Sequence, residues 1–199
     1  MIVTIVMYSY KFFSATHGAH SDPEIKNQIL QNTDIEHILS HAKSGSLVIL
    51  DIDDTIGRVS QTIGLDAWFR FRIQQYASEG HPQSQALLKT IEIYNLAQLA
   101  STHMVFIDPT KNIAKIIHQL KENDVAVIGL TARNHVLTDK TLELLDTLEV
   151  TFSSGILKDG TFTQNDKLVE IKNGVVFANG NDKGICFEQI LTLGYFTRE

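Results

Sequence analysis

Two kinds of hydrophobic pattern alternate along the chain. Residues 46–50 (SLVIL) and 125–130 (VAVIGL) are short, continuous apolar runs, as expected of strands covered on both faces. Elsewhere apolar residues recur every three to four positions. Residues 22–43 predict a helix, with Asp22-Pro23-Glu24 as its start and Ile25, Ile29, Ile35, Ile38, Leu39 and Ala42 at roughly helical spacing. Residues 58–103 read as mostly helical, broken at Gly80-His81-Pro82. An amphipathic helix is expected over 110–123, carrying Ile113, Ile116, Ile117 and Leu120. Another is expected over 135–148, with Leu137, Leu142, Leu145 and Leu148, and a last one over 183–193. Asn173-Gly174, between β-prone runs at 168–171 and 175–178, predicts a hairpin.

Strand, helix, strand, helix in this order predicts an α/β fold with a parallel sheet. The helical stretch 58–103 departs from the alternation and reads as an insertion after the first strand. The chain thus divides into an N-terminal segment (1–21), an α/β core (22–57 and 104–199) and a helical insertion (58–103). Residues 2–10, IVTIVMYSY, have the length of a signal-peptide hydrophobic region, and small residues follow at 14–19. No Lys or Arg precedes them, however, and Lys11 interrupts them. Two readings stand: a signal-like segment, which implies a periplasmic or secreted protein, or a terminal strand, loose or docked on the core, of a cytoplasmic one.

Composition narrows the function. With 17 Lys and Arg against 23 Asp and Glu, the formal charge is −6, which argues against a nucleic-acid partner. No run approaches the ~20 apolar residues of a membrane-spanning helix. Cys186 is the single cysteine, so neither an intrachain disulfide nor a thiolate zinc cage can form. Oligomeric state leaves no mark on the sequence.

Open α/β sheets bind ligands beyond the C-terminal ends of their strands. Asp51-Ile52-Asp53-Asp54-Thr55 follows the first buried run, Thr131-Ala132-Arg133 the second, and Asn179-Gly180-Asn181-Asp182-Lys183-Gly184 leads into the last helix. Asp51 and Asp53 at one strand end repel each other unless a cation sits between them, and a hard divalent ion such as Mg²⁺ meets that need. A carboxylate beside it can attack phosphorus, and a second can protonate the leaving oxygen and then activate water. The Thr131 hydroxyl can bond a phosphoryl oxygen. Lys183, at a helix N-terminus, can neutralise developing charge. Arg133 is a candidate substrate contact, with a surface or helix-cap role as its other reading.

LVILDIDDTIG (47–57), VAVIGLTAR (125–133) and NGNDKG (179–184) resemble motifs I, II and III of the haloacid dehalogenase superfamily of phosphatases and phosphotransferases. The segments LDAWF (65–69), IDPTKNI (107–113) and FANGNDKG (177–184) look like a bacterial branch of that superfamily. The resemblance implies a Rossmann-like three-layer α/β/α core with 58–103 as its helical cap. It also implies a Mg²⁺-dependent phosphomonoester hydrolase acting on a small phosphorylated substrate through an aspartyl-phosphate. Carried over, Asp51 is nucleophile and metal ligand, Asp53 is general acid/base and gives its backbone carbonyl to the metal, and Thr131 and Lys183 bind the phosphoryl group. The superfamily's fourth motif, an Asp at the end of a further strand, is absent: only Glu188 and Glu199 are acidic after Lys183. The expectation is therefore a chain one strand short, with an uncovered sheet edge, weak Mg²⁺ binding and little turnover. The alternative is a catalytically inactive module that binds a phosphorylated ligand or a protein. A receiver-type phosphoacceptor is disfavoured, because receivers carry the acceptor Asp on a later strand and have no cap.

Other motifs carry blander readings. His37 and His41 have the spacing of a two-histidine metal face but lack a third ligand. Trp68, Phe69 and Phe71 interleave with Arg70 and Arg72, which in an acidic chain suits apolar packing with solvated guanidinium heads better than nucleic-acid stacking. Cys186, with no histidine near it in sequence, reads as helix core.

Overall fold

The computed structural model describes residues 3–4, 6–8, 31–32 and 34–197. Most of the expected signal-like segment, and the expected helix start at 22–30, lie outside the described residues. The chain opens with three short strands, β1 (Val3–Thr4), β2 (Val6–Tyr8) and β3 (Gln31–Asn32), of which β1 and β3 pair with each other. The helix expected over 22–43 is shorter: β3 falls inside that range, and α1 spans only His37–His41. Of its periodic residues, Ile35 and Ile38 are buried and begin the core.

The first apolar run is β4 (Leu47–Leu50) and the second is β7 (Ala126–Thr131). Gly129 allows β7 to pass under an aromatic side chain, since a Cβ there would lie 3.0 Å from the Phe152 ring. Between these strands come β5 (Gly57–Val59), α2 (Asp66–Ser78), α3 (Gln83–Leu99), β6 (Met104–Phe106) and α4 (Ile113–Glu122). Asn112 caps α4 by accepting the Lys115 N–H at 2.9 Å, and Ile113, Ile116, Ile117 and Leu120 form its buried stripe. After β7 a 3₁₀ turn (His135–Leu137) leads into α5 (Thr138–Asp146). The hairpin strands β8 (Gly160–Gln164) and β9 (Lys167–Lys172), then β10 (Val175–Phe177) and α6 (Lys183–Thr192), complete the chain. Asn173 and Gly174, both at positive φ, make the tight turn between β9 and β10.

The main sheet has six strands in the order β2-β4-β7-β10-β9-β8. Only its centre is parallel, β4 to β7 and β7 to β10; β2, β9 and β8 run antiparallel to their neighbours. The sheet is therefore mixed, a correction to the parallel sheet expected from the alternation. Hairpin connections deliver β8 and β9 without crossover helices, and a crossover helix is what parallel pairing requires. The outer edge of β4 is paired by β2.

Alternate residues along the central strands feed two cores. Val48, Leu50, Val127, Val175 and Phe177 join residues of α1, α4 and α5 on one face, and Ile128, Leu130 and Val176 join Cys186, Phe187 and Ile190 of α6 on the other. Helices thus cover both faces.

The segment 58–103 contributes no strand to the main sheet. Its helices α2 and α3 form a hairpin raised on a separate two-stranded stalk, β5 paired with β6. Gly57 opens the stalk against the Val105 backbone: a Cβ there would sit 2.9 Å from the Val105 carbonyl oxygen and 3.1 Å from Leu148. Backbone cannot yield as a side chain end can, so Gly57→Ala is expected to cost about 1–3 kcal/mol, read as a lowered urea midpoint at unchanged slope. An unshifted midpoint would mean that the stalk can move away from the core.

Candidate active site

The strand ends meet at one place. Asp51 follows β4; its Oδ1 forms an ion pair with the Lys183 ammonium at 2.6 Å and accepts the Ile52 N–H at 2.8 Å. Among the described residues, its Oδ2 has no hydrogen-bond partner. Lys183 arrives there because Asp182 caps α6, accepting the Ile185 N–H at 3.0 Å, and so fixes the first turn of that helix beside Asp51.

Asp53 is held differently. Arg133 grips it with two parallel bonds, Nη2 to Oδ1 at 2.7 Å and Nε to Oδ2 at 2.9 Å, and Thr131 donates its hydroxyl to Oδ2 at 3.3 Å. The Arg133 side chain is 1% exposed and that of Asp53 32%. Arg133 Nη1 also donates to Thr141 Oγ1 at 3.0 Å, and its main-chain N–H to Thr131 Oγ1 at 3.1 Å. Burial works to raise the Asp53 pKa, but the Arg133 charge and hydrogen bonds, with Lys183 and Thr131 behind them, hold it below its ordinary value. Asp54, at φ 54° in the left-handed region, is raised by burial and by its acidic neighbours Asp53 and Asp66.

All five residues expected at the site come together, but in two layers. Asp51 and Asp53 face a cavity of about 590 Å³; Thr131, Arg133 and Lys183 stand behind them and hold the carboxylates. Arg133 is a buried partner of Asp53, which corrects the surface or cap reading, and the Thr131 hydroxyl is already spent on Asp53 and the Arg133 N–H.

Several residues at this cavity went unassigned in the sequence. Asp54 was legible as the third acid of its run. Lys167 starts β9 and overhangs the loop after β10; a Cβ on Gly180 would come within 3.6 Å of its ammonium. The α2–α3 hairpin supplies Phe69 and Tyr94, whose rings meet edge to face at 5.4 Å. Burial first, then the Asp53 charge, pushes the Tyr94 phenol far above its ordinary range, so it stays neutral. Nothing local ties Lys167, Phe69 or Tyr94 to the strand ends, because they reach the cavity only through the stalk and the β8–β9 hairpin.

The donor set suits a hard cation only sparingly. Asp51 Oδ2 and the Asp53 main-chain carbonyl are oxygen ligands of the kind Mg²⁺ takes, with water and substrate oxygens for the remainder. Among the described residues, no group of three or more His, Cys, Asp or Glu is arranged to hold a metal ion. His41 instead turns its Nδ1 to the His37 carbonyl at 2.8 Å. Arg72 lies over the Tyr76 ring at 4.5 Å within α2. Cys186 is buried with its Sγ 2.8 Å from Gln164 Oε1, and burial pushes its thiol up to about 11.

Comparison with known proteins places the chain in a family. A family described as a protein of unknown function, DUF2608, matches residues 26–195, and the chain belongs to it. No haloacid dehalogenase family matches, so the assignment suggested by the three motifs is corrected to DUF2608. The chain is 25% identical over 179 residues to a protein of Chlamydia pneumoniae named "Putative outer membrane protein". That alignment covers 82% of this chain and 63% of the relative, so the chain spans less than two thirds of the relative's length. No solved structure matches. No helix among the described residues is long and apolar enough to cross a membrane.

Proposed function

We propose that this chain is a Mg²⁺-dependent phosphomonoester hydrolase that works through an aspartyl-phosphate on Asp51. The observation carrying this reading is the Asp51–Lys183 pair at the cavity: a carboxylate with one oxygen held by an ammonium and the other open. The Asp51 Oδ2 attacks phosphorus, the bond from phosphorus to the alcohol oxygen breaks, and that oxygen takes up a proton. Water then attacks the acyl phosphate, releasing inorganic phosphate and restoring Asp51. Lys183 stays beside the reacting oxygens as counter-charge, and Lys167, which lines the same cavity beside Gly180, adds a second cation for the incoming dianion. Asp51 and the Asp53 carbonyl would hold Mg²⁺, which when bound screens the phosphoryl charge. With so few protein ligands, Mg²⁺ alone would bind weakly and would depend on oxygens from water and substrate. Asp53 carries a proton only after it sheds one of its Arg133 bonds.

That last requirement favours a second reading, a module that binds a phosphorylated ligand without turning it over. The relative's name supports a location outside the cytoplasm for either reading.

The test is phosphate release from p-nitrophenyl phosphate by the purified chain, with Mg²⁺ and with EDTA, together with acid quenching on ³²P-labelled substrate. Mg²⁺-dependent release and an acid-stable, hydroxylamine-labile label on the protein are expected. Phosphate binding with neither release nor label would overturn hydrolysis in favour of the binding module.

A further inference from the structure

The cavity is sharply divided in character. Its floor is the charged strand end with Asp51 and Asp53, whereas the α2–α3 hairpin brings Leu65, Phe69, Leu87, Ile91 and Tyr94 to its wall, beside the Asp66–Arg70 ion pair and Asn95. Neither α2 nor α3 gains from presenting apolar groups to a charged floor across open space. The apolar stretch of that wall suits a ligand with an anionic end and an apolar body. Phe69 and Tyr94, paired edge to face, both line the cavity, and aromatic rings are surfaces that a further ring meets favourably. A volume of about 590 Å³ holds a phosphoryl group together with a ring, and far exceeds what a phosphorylated two- or three-carbon alcohol fills.

We infer that the cavity is built for phosphomonoesters whose alcohol carries an aromatic ring, with the ring against Phe69 and Tyr94 and the phosphoryl group at Asp51. The hydrolytic part of this statement rests on the function proposed above; the ring site does not. The hairpin thereby sets specificity, while the strand ends set the chemistry. A methylene-sized change in such a pocket is worth roughly tenfold or more in discrimination, and a ring is larger than that.

Two pairs of probes separate ring recognition from hydrolysis. Benzylphosphonate and methylphosphonate, which cannot be hydrolysed, are compared by isothermal titration in the presence of Mg²⁺. Benzyl phosphate and ethyl phosphate, whose leaving alcohols differ little in acidity, are compared by kcat/KM. Wild type is expected to favour the benzyl member of each pair by about tenfold or more. Phe69→Ala is expected to shrink the preference to about twofold without weakening methylphosphonate, and Leu87→Ser, at a residue 40% exposed on the same wall, to reduce it without endangering the fold. Equal affinity for the two phosphonates, or a preference that survives both substitutions in folded protein, would overturn the ring site. A benzyl preference in binding with no turnover of either ester would leave the ring site standing and remove the hydrolase. Equal turnover of both esters, with equal phosphonate affinity, would do the reverse.

Discussion

Asp51→Asn is expected to lower turnover by about 10³-fold or more and to leave no phosphoryl label on the protein, while the fold survives. Amide oxygen is a poor nucleophile, and an acyl phosphate cannot form on it. The Asp51–Lys183 pair lies at the cavity with its side chains 39% and 33% exposed, so the loss of one charge is screened by water. Pairs of this kind contribute about 0–1 kcal/mol to stability. The substitution therefore separates chemistry from folding, which a change at a buried residue would not. The check is single-turnover kinetics beside a urea titration. Wild-type turnover in Asp51→Asn would place the nucleophile elsewhere; a collapsed urea midpoint would show that Lys183 anchors α6 through Asp51.

Asp51 is informative for a second reason. The proposal also requires that substrate and Asp51 compete for the Lys183 ammonium, since one cation serves both. In Asp51→Asn, Lys183 is released from its carboxylate, so inorganic phosphate should bind no more weakly, and methylphosphonate likewise. That comparison is made in EDTA; phosphate binding lost in Mg²⁺ but kept in EDTA would show that Asp51 contributes chiefly by holding the ion.

The central layout was legible because it rests on strong local signals. β4 and β7 are continuous apolar runs, α4 has its stripe and its Asn112 cap, and the turn at Asn173-Gly174 has the residues that positive φ demands. The strand-end rule then brings Asp51, Asp53, Thr131 and Lys183 to one place from the sequence alone. What failed was what depends on pairing at a distance. β5 and β6 are only three residues each, too short for a period to show. β8 lies at the sheet edge, half-exposed, and reads GTFTQ, polar enough to pass for a loop. The helix expected at 22–43 drew its strength from periodic isoleucines, two of which, Ile35 and Ile38, are buried around the single short helix α1. The role of Arg133, as the buried partner of Asp53, was the least legible part of the site. A charged residue after a strand is ordinarily solvated, and its partner Asp53 lies 80 positions away, so no spacing rule connects them.

Asp53→Ala is expected to destabilise the protein by about 3 kcal/mol at neutral pH, more than Arg133→Met. The asymmetry follows from exposure. Removing Asp53 strands a guanidinium that is 1% exposed, with only Thr141 left to receive it; removing Arg133 leaves a carboxylate that is 32% exposed and still bonded by Thr131. An uncompensated buried charge is the costly case, whereas a partly hydrated one recovers much of its solvation. The double substitution should cost less than the two single losses added together, because neither charge is then left alone. The pH dependence carries its own sign. The folded-state pKa of Asp53 lies below its ordinary value of 3.8, so the pair's contribution is fully present above about pH 4 and is lost as pH falls through the folded value. Wild type and Asp53→Ala should therefore differ most near pH 7 and converge in acid, measured by urea unfolding across that range. A difference that stays constant down to pH 2 would assign the loss to packing, and Arg133→Met proving the more damaging change would mean that the guanidinium holds the loop at 131–141 in place through Thr141 and the Thr131 hydroxyl more than it serves Asp53.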